Sequence, residues 1–372
     1  MRTVYHLLDE REVFSESDGG AISRWAANAL REGDEVIVCP SYDLSWGFPA
    51  DRLYKLPRWH LTGPVHPILY RLPWHLQKTI CLQVFRPLFE RLRPNDVVYV
   101  HNRPAYAAVL ATVADKLGFR PVLHMHNSLL LRANKGQLAA LKNTTIVFCS
   151  QFLRTEVQNV MPGHFADTHV VYNGADDQKF HPDPDKANVI PRIIFSGRLV
   201  AYKGVHILLE AMRLLSRRRV DAACVIVGGA GFGNSRPTRY VKRLRKARPE
   251  NTRFAGYLRG SELAKLLRTS DIFCCPSIWH DPFPLAPIEA MASGNAVVAS
   301  ATGGLPETLS FGGGVLIPPN DPLALADALQ QLIEDTPRRK RLAAEAVSAF
   351  RDNFRWTMAR AQYQQVIQSL PA

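Results

Sequence analysis

Short apolar runs alternate with helical patterns along nearly the whole chain. Apolar runs rich in β-branched residues predict buried strands, and the amphipathic segments between them predict helices. This alternation predicts parallel sheets built from strand–helix–strand units. Strands are expected at Thr3–Leu8, Glu35–Pro40, Asp96–Val100, Pro121–His126, Thr145–Cys149, His169–Tyr172, Arg192–Ser196, Ala222–Val227, Thr252–Ala255, Ile272–Pro276, Ala296–Ala299 and Gly314–Ile317. Helices are expected at Gly20–Glu32, Gly204–Arg217, Ser261–Thr269 and Asp321–Asp335.

The number of strands sets the domain organisation. Six predicted strands in each half of a 372-residue chain favour an α/β protein with two doubly wound, Rossmann-like domains over a single barrel. A stretch rich in proline and aspartate within Phe180–Pro191 predicts the boundary. We expect a first domain over 1–182, a second over 183–353, and a C-terminal helix over 354–372 that packs back on the first domain.

Composition is that of an ordinary globular protein, with 47% hydrophobic and 21% charged residues. The six cysteines form no Cys-x-x-Cys pair and lie in apolar stretches, which indicates buried thiols in a reducing compartment. Neither a signal-peptide pattern nor an apolar run of membrane-spanning length is present in this sequence. We therefore expect a cytoplasmic protein. No His, Cys or Asp cluster has metal-ligand spacing, so no metal is expected.

The net charge of +13 is concentrated between Arg213 and Arg253, where 12 basic residues stand against 2 acidic ones. Such a field attracts nucleic acid, an anionic membrane or phosphorylated small molecules. The stretch contains only Phe232 and Tyr240 as stacking aromatics and no zinc-finger or RNA-binding signature, which disfavours nucleic acid. The basic helix predicted at Thr238–Arg248 is typical of a solvated face, or of a second membrane contact.

The first chemical motif is Ile193–Gly204, IIFSGRLVAYKG. A buried strand leads to Gly197 and Arg198, and Lys203 directly precedes a helix. Ligands of open α/β sheets bind at the carboxyl ends of the strands. A guanidinium fork, an ammonium group and a helix N-terminus placed there together favour a bound diphosphate.

The second motif is Asp281–Glu289, DPFPLAPIE. One acid lies in a proline-rich loop at a strand end, and the helix is expected to begin at Pro287 with Glu289 in its first turn. Backbone N–H groups of Phe283, Leu285 and Ala286 are expected to face an anion or a sugar oxygen. One carboxylate suits sugar hydroxyls and the other a ribose.

Together these motifs resemble the donor site of the family 4 retaining glycosyltransferases, which have the GT-B fold of two domains facing a cleft. Val171–Pro182, VYNGADDQKFHP, is similar to the family's segment at the domain junction, and Ser17–Arg31 is similar to its N-terminal glycine loop. The matches span most of the chain in the family's order. The HNRP turn at His101–Pro104 also resembles a subgroup acting in bacterial surface-polysaccharide or spore-coat glycosylation.

The resemblance implies a nucleotide-sugar donor, with UDP favoured over GDP. It implies that Arg198 and Lys203 bind the donor diphosphate, that Asp281 lies near the transferred sugar and that Glu289 binds the ribose. Asp281 stands where the family commonly has glutamate, and its shorter side chain bears on the choice of sugar. Retention is expected through front-face attack, with no cofactor, and closure of the domains about Phe180–Pro191 is expected to exclude water.

Glycines 19 and 20 are implied to let the backbone approach the donor phosphate or the acceptor. His126 matches a histidine that lies by the sugar in relatives, and His124 and His101 are weaker candidates. The further donor-binding candidates are Asn173, Gly197, Gly256, Tyr257, Phe283, Pro284 and Leu285.

The acceptor is expected to be a glycan or a lipid-linked molecule bound by the first domain. Aromatic and basic residues alternate over Trp59–Arg93, a pattern that suits either an anionic membrane surface or a solvated face over an ordinary core. Three alternatives to a transferase remain at this point: a nucleotide-sugar epimerase of the same fold, a nucleic-acid-binding protein, and a catalytically silent carbohydrate-binding relative.

Overall fold

The computed structural model of the chain describes residues 2–10, 12–16, 20–56, 71–231 and 236–371. The chain divides into two compact units. The first comprises Met1–Tyr172 and Ala359–Ala372, and the second comprises Asn173–Met358. Every pair of neighbouring strands in the described residues runs parallel, as expected for doubly wound sheets.

The first unit is built around a parallel sheet of seven strands. The strands of the first unit, in the main sheet and in a separate pair, are β1 Val4–Leu7, β2 Val13–Phe14, β3 Val36–Cys39, β4 Ser41–Tyr42, β5 Leu53–Lys55, β6 Val97–His101, β7 Arg120–Met125, β8 Thr145–Phe148 and β9 Thr168–Val170. Its helices are α1 Ala21–Ala29, α2 Trp74–Phe89, α3 Pro104–Leu117, α4 Lys135–Leu141 and α5 Gln151–Val160, with 3₁₀ turns at Ala50–Arg52 and Ser128–Arg132. The sheet order is β5-β3-β1-β6-β7-β8-β9, and β2 pairs separately with β4.

The second unit is built around a parallel sheet of six strands in the order β12-β11-β10-β13-β14-β15. These are β10 Arg192–Ser196, β11 Ala223–Val227, β12 Thr252–Gly256, β13 Ile272–Cys275, β14 Ala296–Ser300 and β15 Gly314–Ile317. The helices are α6 Val205–Arg217, α7 Arg239–Lys246, α8 Gly260–Arg268, α9 Leu285–Ala292, α10 Leu305–Leu309, α11 Pro322–Glu334 and α12 Thr336–Asn353, and Ala201–Lys203 forms a 3₁₀ turn. The last helix, α13 Trp356–Ser369, begins in this unit. Apolar side chains of the strands, α6 and α11 form its core.

The predicted α/β class with two Rossmann-like sheets is confirmed. The sequence analysis missed strand β5, which adds a seventh strand at the edge of the first sheet, and the two-residue strands β2 and β4. These strands are too short to produce an apolar run of their own. Their positions follow from tertiary pairing, which short-range patterns do not contain.

The structure divides the chain at Tyr172, earlier than the expected boundary at residue 182. The segment after Tyr172 packs on the second unit. The backbone N–H of Ala175 donates to the carbonyl of Phe354 at 2.8 Å. The Lys186 ammonium donates to the carbonyls of Ser270 and Gly294, both at 2.9 Å. Lys186 therefore anchors Phe180–Pro191 to the second unit.

The C-terminal helix α13 passes from one unit to the other, because its residues from Ala359 onward belong to the first. The Arg360 guanidinium donates to the carbonyl of Ala29 at 2.8 Å. The Tyr172 backbone N–H donates to the Gln362 side chain at 2.9 Å. These bonds hold the end of the chain on the first unit.

The structure bears on the alternatives left open for two segments, Trp59–Arg93 and the basic helix. Residues 59–70 of the segment Trp59–Arg93 lie outside the described residues. In the described part, Phe85 packs edge-on against Tyr106 and Phe89 stacks on Phe119, so these aromatic rings belong to the fold rather than to an exposed face. No helix in the described part of the chain is long and apolar enough to cross a membrane.

The basic helix α7 buries only Val241 and Leu244 and exposes its charged residues. The Tyr240 hydroxyl lies 3.0 Å from Nδ1 of His206, so this ring is hydrogen-bonded within the protein. The arrangement agrees with a solvated face. All six cysteines are buried and none forms a disulfide.

A buried ion pair joins the loops after β1 and β6. The Arg103 guanidinium donates to both carboxylate oxygens of Glu10, at 2.9 and 3.1 Å, and also contacts Asp9. The Tyr106 hydroxyl adds a bond to Glu10 at 3.1 Å. Burial raises the pKa of the Glu10 carboxyl, with the Asp9 charge adding to it and Arg103 opposing it.

Replacing Arg103 with methionine is expected to lower the free energy of unfolding by about 3–5 kcal/mol, because it leaves a buried carboxylate uncompensated. Urea unfolding of the wild type and the variant measures the change. The double variant Arg103→Met, Glu10→Gln is expected to recover part of the loss. If the free energy of unfolding of Arg103→Met lies within about 1 kcal/mol of the wild-type value, the pair does not hold these loops.

Candidate functional site

The predicted donor-site residues lie where the second sheet reverses its winding. Strand β10 comes first in sequence but lies between β11 and β13 in the sheet. The chain therefore winds outward in one direction to β12 and then in the other from β13 to β15. In open α/β sheets the crevice at such a switch point, outside the carboxyl ends of the strands, is the ligand site. The two predicted motifs follow β10 and β13, the strands on either side of this point.

Arg198 is exposed at the end of β10. Its guanidinium donates to the Tyr202 hydroxyl at 2.6 Å and lies 5.7 Å from the centre of that ring. The Tyr202 ring in turn lies 5.9 Å from Trp279, whose side chain is largely exposed. Arg198 is thus held by an aromatic neighbour while its remaining N–H groups are directed to solvent or to other partners.

Lys203 and Asp281, both predicted as catalytic, form an ion pair with each other. The Lys203 ammonium lies 2.5 Å from one Asp281 carboxylate oxygen. Both side chains are partly buried, with relative exposures of 16% and 24%. The pair joins the loop after β10 to the loop after β13, and each charge fixes the position of the other at the switch point.

Glycines bring these loops close together. Gly204 has φ +72°, and a Cβ there would overlap the carbonyl oxygen of Pro276. A Cβ at Gly228 would overlap the carbonyl of Gly197, which follows β10. Gly303 and Gly304, after β14, abut the backbone of the Asp281 loop in the same way, and the Gly304 N–H donates to the Asp281 carbonyl at 2.8 Å.

The second motif differs in one respect from expectation. Helix α9 begins at Leu285, with Pro284 as its N-cap and no side-chain cap. Glu289 therefore lies in the second turn, half-buried, rather than in the first turn as expected. Proline is tolerated throughout the first turn of a helix. The prediction took Pro287 as the first helical residue, whereas it is the third. The buried Phe283 packs against Phe354, 5.7 Å between ring centres.

The other candidates of the second unit lie at the carboxyl edge of its sheet or at the start of the unit. Gly256 ends β12 with φ +81°, and its carbonyl accepts from the Gly228 N–H at 2.7 Å. Tyr257 follows it and is half-buried. Asn173 is the first residue of the second unit. Gly20 and His126 belong to the first unit, and Gly19 lies outside the described residues.

Gly20 is the N-cap of α1 and makes a close approach, but to a group of this chain. The Glu12 carboxylate accepts from the Gly20 N–H at 3.0 Å and from the Ser23 hydroxyl at 2.7 Å. A side chain at position 20 would collide with that carboxylate. The space that the glycine leaves is thus used by Glu12, and an anion meeting this N–H group would have to replace it.

His126 lies directly after β7 and is held by the turn after β6. Asn102 has φ +56°, which directs its side-chain oxygen to accept from the His126 N–H at 3.2 Å. The Asn102 N–H donates to the carbonyl of His124 at 2.7 Å. The HNRP turn therefore positions His126.

A row of aromatic and imidazole side chains covers one face of the first sheet. His101 is paired with His124 across β6 and β7, and His6 is paired with Tyr99 across β1 and β6. Because side chains alternate along a strand, Tyr99 and His101 share a face, and His124 and His126 continue it. Trp25 of α1 packs over this face, with its ring centre 5.1 Å from those of His101 and His124.

Hydrogen bonds link these rings into a line. His126 Nε2 lies 3.1 Å from His101 Nδ1, and His101 Nε2 lies 3.1 Å from His6 Nδ1. His6 Nε2 lies 2.9 Å from the Tyr363 hydroxyl on α13. Burial lowers the pKa of His126 to about 3. Burial, with the Arg52 and Arg360 charges, lowers the pKa of His6 to about 3, and burial also holds the pKa values of His101 and His124 well below the usual range.

Sequence reasoning missed several members of these arrangements. The glycine pairs after β11 and β14 carry the signal, since a glycine pair at a strand end marks close backbone approach. Tyr202 and Trp279 gave no separable signal, because isolated aromatic residues occur on any surface. His101 and His126 were named as candidates, but their connection through His6 to Tyr363 was missed because these residues lie far apart in sequence.

Comparison with known proteins identifies the family of this chain. The family model described as Glycosyltransferase Family 4 matches residues 22–179, and the model described as Glycosyl transferases group 1 matches residues 176–348. The chain belongs to glycosyltransferase family 4. It is therefore a glycosyltransferase, and the predicted family is confirmed.

Individual relatives agree with this assignment. The chain is 27% identical to Spore coat protein SA of Bacillus subtilis (strain 168) over 284 residues, 70% of this chain and 75% of that protein. It is 34% identical to a D-inositol 3-phosphate glycosyltransferase of Corynebacterium aurimucosum over 212 residues, 53% of this chain and 50% of that protein. The solved structure of Anabaena Alr3699/HepE in complex with UDP-glucose matches with a TM-score of 0.74, at 19% identity, over 99% of this chain and 100% of that one. This similarity confirms the GT-B fold.

Replacing Gly204 with alanine is expected to lower the free energy of unfolding by about 1–3 kcal/mol more than replacing Gly260, because only the first Cβ overlaps backbone. Gly260 has a similarly positive φ of +58° and open space around it, so it controls for backbone strain alone. Urea unfolding of both variants measures the difference. Equal losses would contradict the proposed contact between the loops after β10 and β13.

The neutral histidines predict acid sensitivity. Their folded-state pKa values lie below the unfolded value of about 6.5, so the unfolded state binds more protons and stability falls as the pH drops below that value toward the folded pKa. Each such histidine contributes about 1.4 kcal/mol per pH unit within this window. In the variant His126→Gln, the free energy of unfolding should therefore change less steeply with pH, by that amount, between about pH 5.5 and pH 4. Urea unfolding at a series of pH values, with EDTA present, measures both slopes, and parallel slopes would refute the prediction.

Proposed function

We propose that this glycosyltransferase transfers a sugar, with retention of anomeric configuration, from a nucleotide-sugar donor bound at the switch point of the second unit. The observation that carries the proposal is the convergence of Arg198, Lys203 and the N-termini of α6 and α9 at the carboxyl ends of β10 and β13. No side chain caps either helix. Cations and uncapped helix N-termini are the groups that bind a diphosphate.

In the proposed mechanism, the sugar–phosphate bond breaks as the acceptor hydroxyl attacks the anomeric carbon from the same face. The departing phosphate oxygen takes the acceptor proton. Negative charge builds up on the diphosphate, and Arg198, Lys203 and the helix N-termini stabilise it. Lys203 is already positioned by Asp281, so little reorganisation is needed when the charge develops.

The acidic residues are proposed to bind the donor's hydroxyl groups. Asp281 lies in the loop at the end of β13, where the transferred sugar would follow the diphosphate. Glu289, on the second turn of α9, is proposed to accept from the ribose hydroxyls. Gly256 and Tyr257, at the end of β12, form the part of the same sheet edge that we assign to the base. No metal or organic cofactor is included in this mechanism.

We favour a UDP-sugar as the donor. The support is the fold similarity to Alr3699/HepE, a protein solved with UDP-glucose. For the acceptor, we propose a glycan or lipid-linked molecule in cell-surface polysaccharide biosynthesis, on the similarity to Spore coat protein SA. The similarity to D-inositol 3-phosphate glycosyltransferases makes a phosphorylated polyol the second candidate.

We also propose that the enzyme works in the cytoplasm, at the inner membrane surface if its acceptor is lipid-linked. The buried reduced cysteines support a reducing compartment. Leu76 and Ile80 on α2 are exposed, as are Arg71 before the helix and Arg86 on it, a combination that suits an anionic surface. The inward-facing aromatic rings of this helix do not contribute to such a contact.

Hydrolysis of the donor without acceptor tests the donor site. Wild-type protein incubated with a panel of UDP- and GDP-sugars should release nucleotide slowly from one donor, and Lys203→Ala should lower that rate by about 100-fold or more, since one stabilising group is lost. Lys242→Ala, at an exposed position on α7, is the matched control and should retain the wild-type rate.

Release that is equal in all three proteins would contradict the assignment of Lys203. Conversion of the donor into its epimer, without nucleotide release, would identify an epimerase instead. With an accepted donor in hand, proton NMR of the initial transfer product determines the anomeric configuration. An inverted product would refute retention.

A further inference from the structure

Three imidazole rings of the first unit converge on one point. His101, His124 and His126 each present a ring nitrogen, and these nitrogens lie within 4.8 Å of one another. His101 and His124 are completely buried, while His126 is partly accessible. His101 and His124 lie on the strands β6 and β7, and His126 is the residue directly after β7.

One of these nitrogens has no hydrogen-bond partner among the residues that the structure describes. Nε2 of His124 is buried and makes no hydrogen bond. Close by, Nδ1 of His101 and Nε2 of His126 lie 3.1 Å apart. A hydrogen bond between those two atoms accounts for that distance but leaves His124 Nε2 unsatisfied. A buried polar atom without a partner is unfavourable and requires an explanation.

In His101 and His124, the ring nitrogen that faces away from this point, the outer nitrogen, already has a partner of the kind found in metal sites. His101 Nε2 faces His6 Nδ1 at 3.1 Å, and His124 Nδ1 faces the Tyr99 hydroxyl at 3.2 Å. If these outer nitrogens carry the protons and donate, the inner nitrogens carry lone pairs. Histidine ligands in metal sites characteristically donate their other N–H to such a second group, which fixes both tautomer and ring orientation.

We propose that His101, His124 and His126 bind a transition-metal cation of the Zn²⁺ or Co²⁺ class. Imidazole nitrogens suit these ions, whereas Mg²⁺ and Ca²⁺ require oxygen ligands. Three nitrogen ligands leave a fourth position of a tetrahedral ion for a ligand from outside. The ion reaches the site from the side of His126, and His126 transfers its ring proton from Nε2 to Nδ1 when it binds.

The ion occupies the inner nitrogen of His126 and fixes its ring. Metal binding itself is measured without any nucleotide sugar, so a failure of the proposed function leaves the test of the site intact.

Titration of the untagged, metal-free protein with Co²⁺ tests the site, because tetrahedral Co²⁺ has strong visible absorption bands. We expect one equivalent to bind, Zn²⁺ to displace it and Mg²⁺ to leave it in place. His124→Phe should weaken binding by at least 100-fold, since a ligand is lost, and Tyr99→Phe by about tenfold, since only the second group is lost. His75→Gln, at an exposed histidine of the same unit, should bind as the wild type does.

His126→Gln provides a second ligand variant at a less buried position, in case His124→Phe does not fold, and circular dichroism monitors folding of each protein. The proposal is overturned if the wild type gives no tetrahedral Co²⁺ spectrum. It is also overturned if the spectrum persists in the folded ligand variants, or if His75→Gln abolishes it.

Discussion

Close backbone contact between loops is the constraint on which the candidate donor site depends. The loop after β10 can lie against the end of β13 because Gly204 has no side chain to meet the Pro276 carbonyl. Gly303 and Gly304 bring the loop after β14 against Asp281 by the same means. Without these contacts, the two loops that carry Lys203 and Asp281 would not be held against each other. With them, both charges are fixed at the point where the sheet reverses direction, and the N-termini of α6 and α9 are directed to the same region.

The ion pair between Lys203 and Asp281 gives this site an electrostatic character that neither residue has alone. A lysine ammonium is a mobile point charge on a flexible stem, and holding it costs side-chain entropy. Asp281 restrains it before any ligand binds. The bound diphosphate would then add its charge to a cation already in place. The first unit has a different construction, with a line of buried neutral histidines on one sheet face and a separate buried ion pair between Arg103 and Glu10.

Much of the second unit could be predicted from sequence because its strands are short apolar runs separated by helical patterns. Arg192–Ser196 and Gly314–Ile317 are observed with the predicted bounds, since uninterrupted apolar runs end abruptly at polar or glycine residues. The start of α9 was placed too late because Pro287 suits several positions of a first turn. The contact of Lys203 with Asp281, and the line from His126 to Tyr363, depend on residues distant in sequence. Such contacts follow from strand order and register, which local patterns do not specify.

The central claim is that the donor diphosphate binds at the switch point of the second unit, and a crystal structure of the protein with UDP tests it most directly. The diphosphate is expected within hydrogen-bonding distance of Arg198, Lys203 and the N-terminus of α9, with the ribose beside Glu289. UDP bound at another surface of either unit, with Lys203 still paired only to Asp281, would contradict the claim.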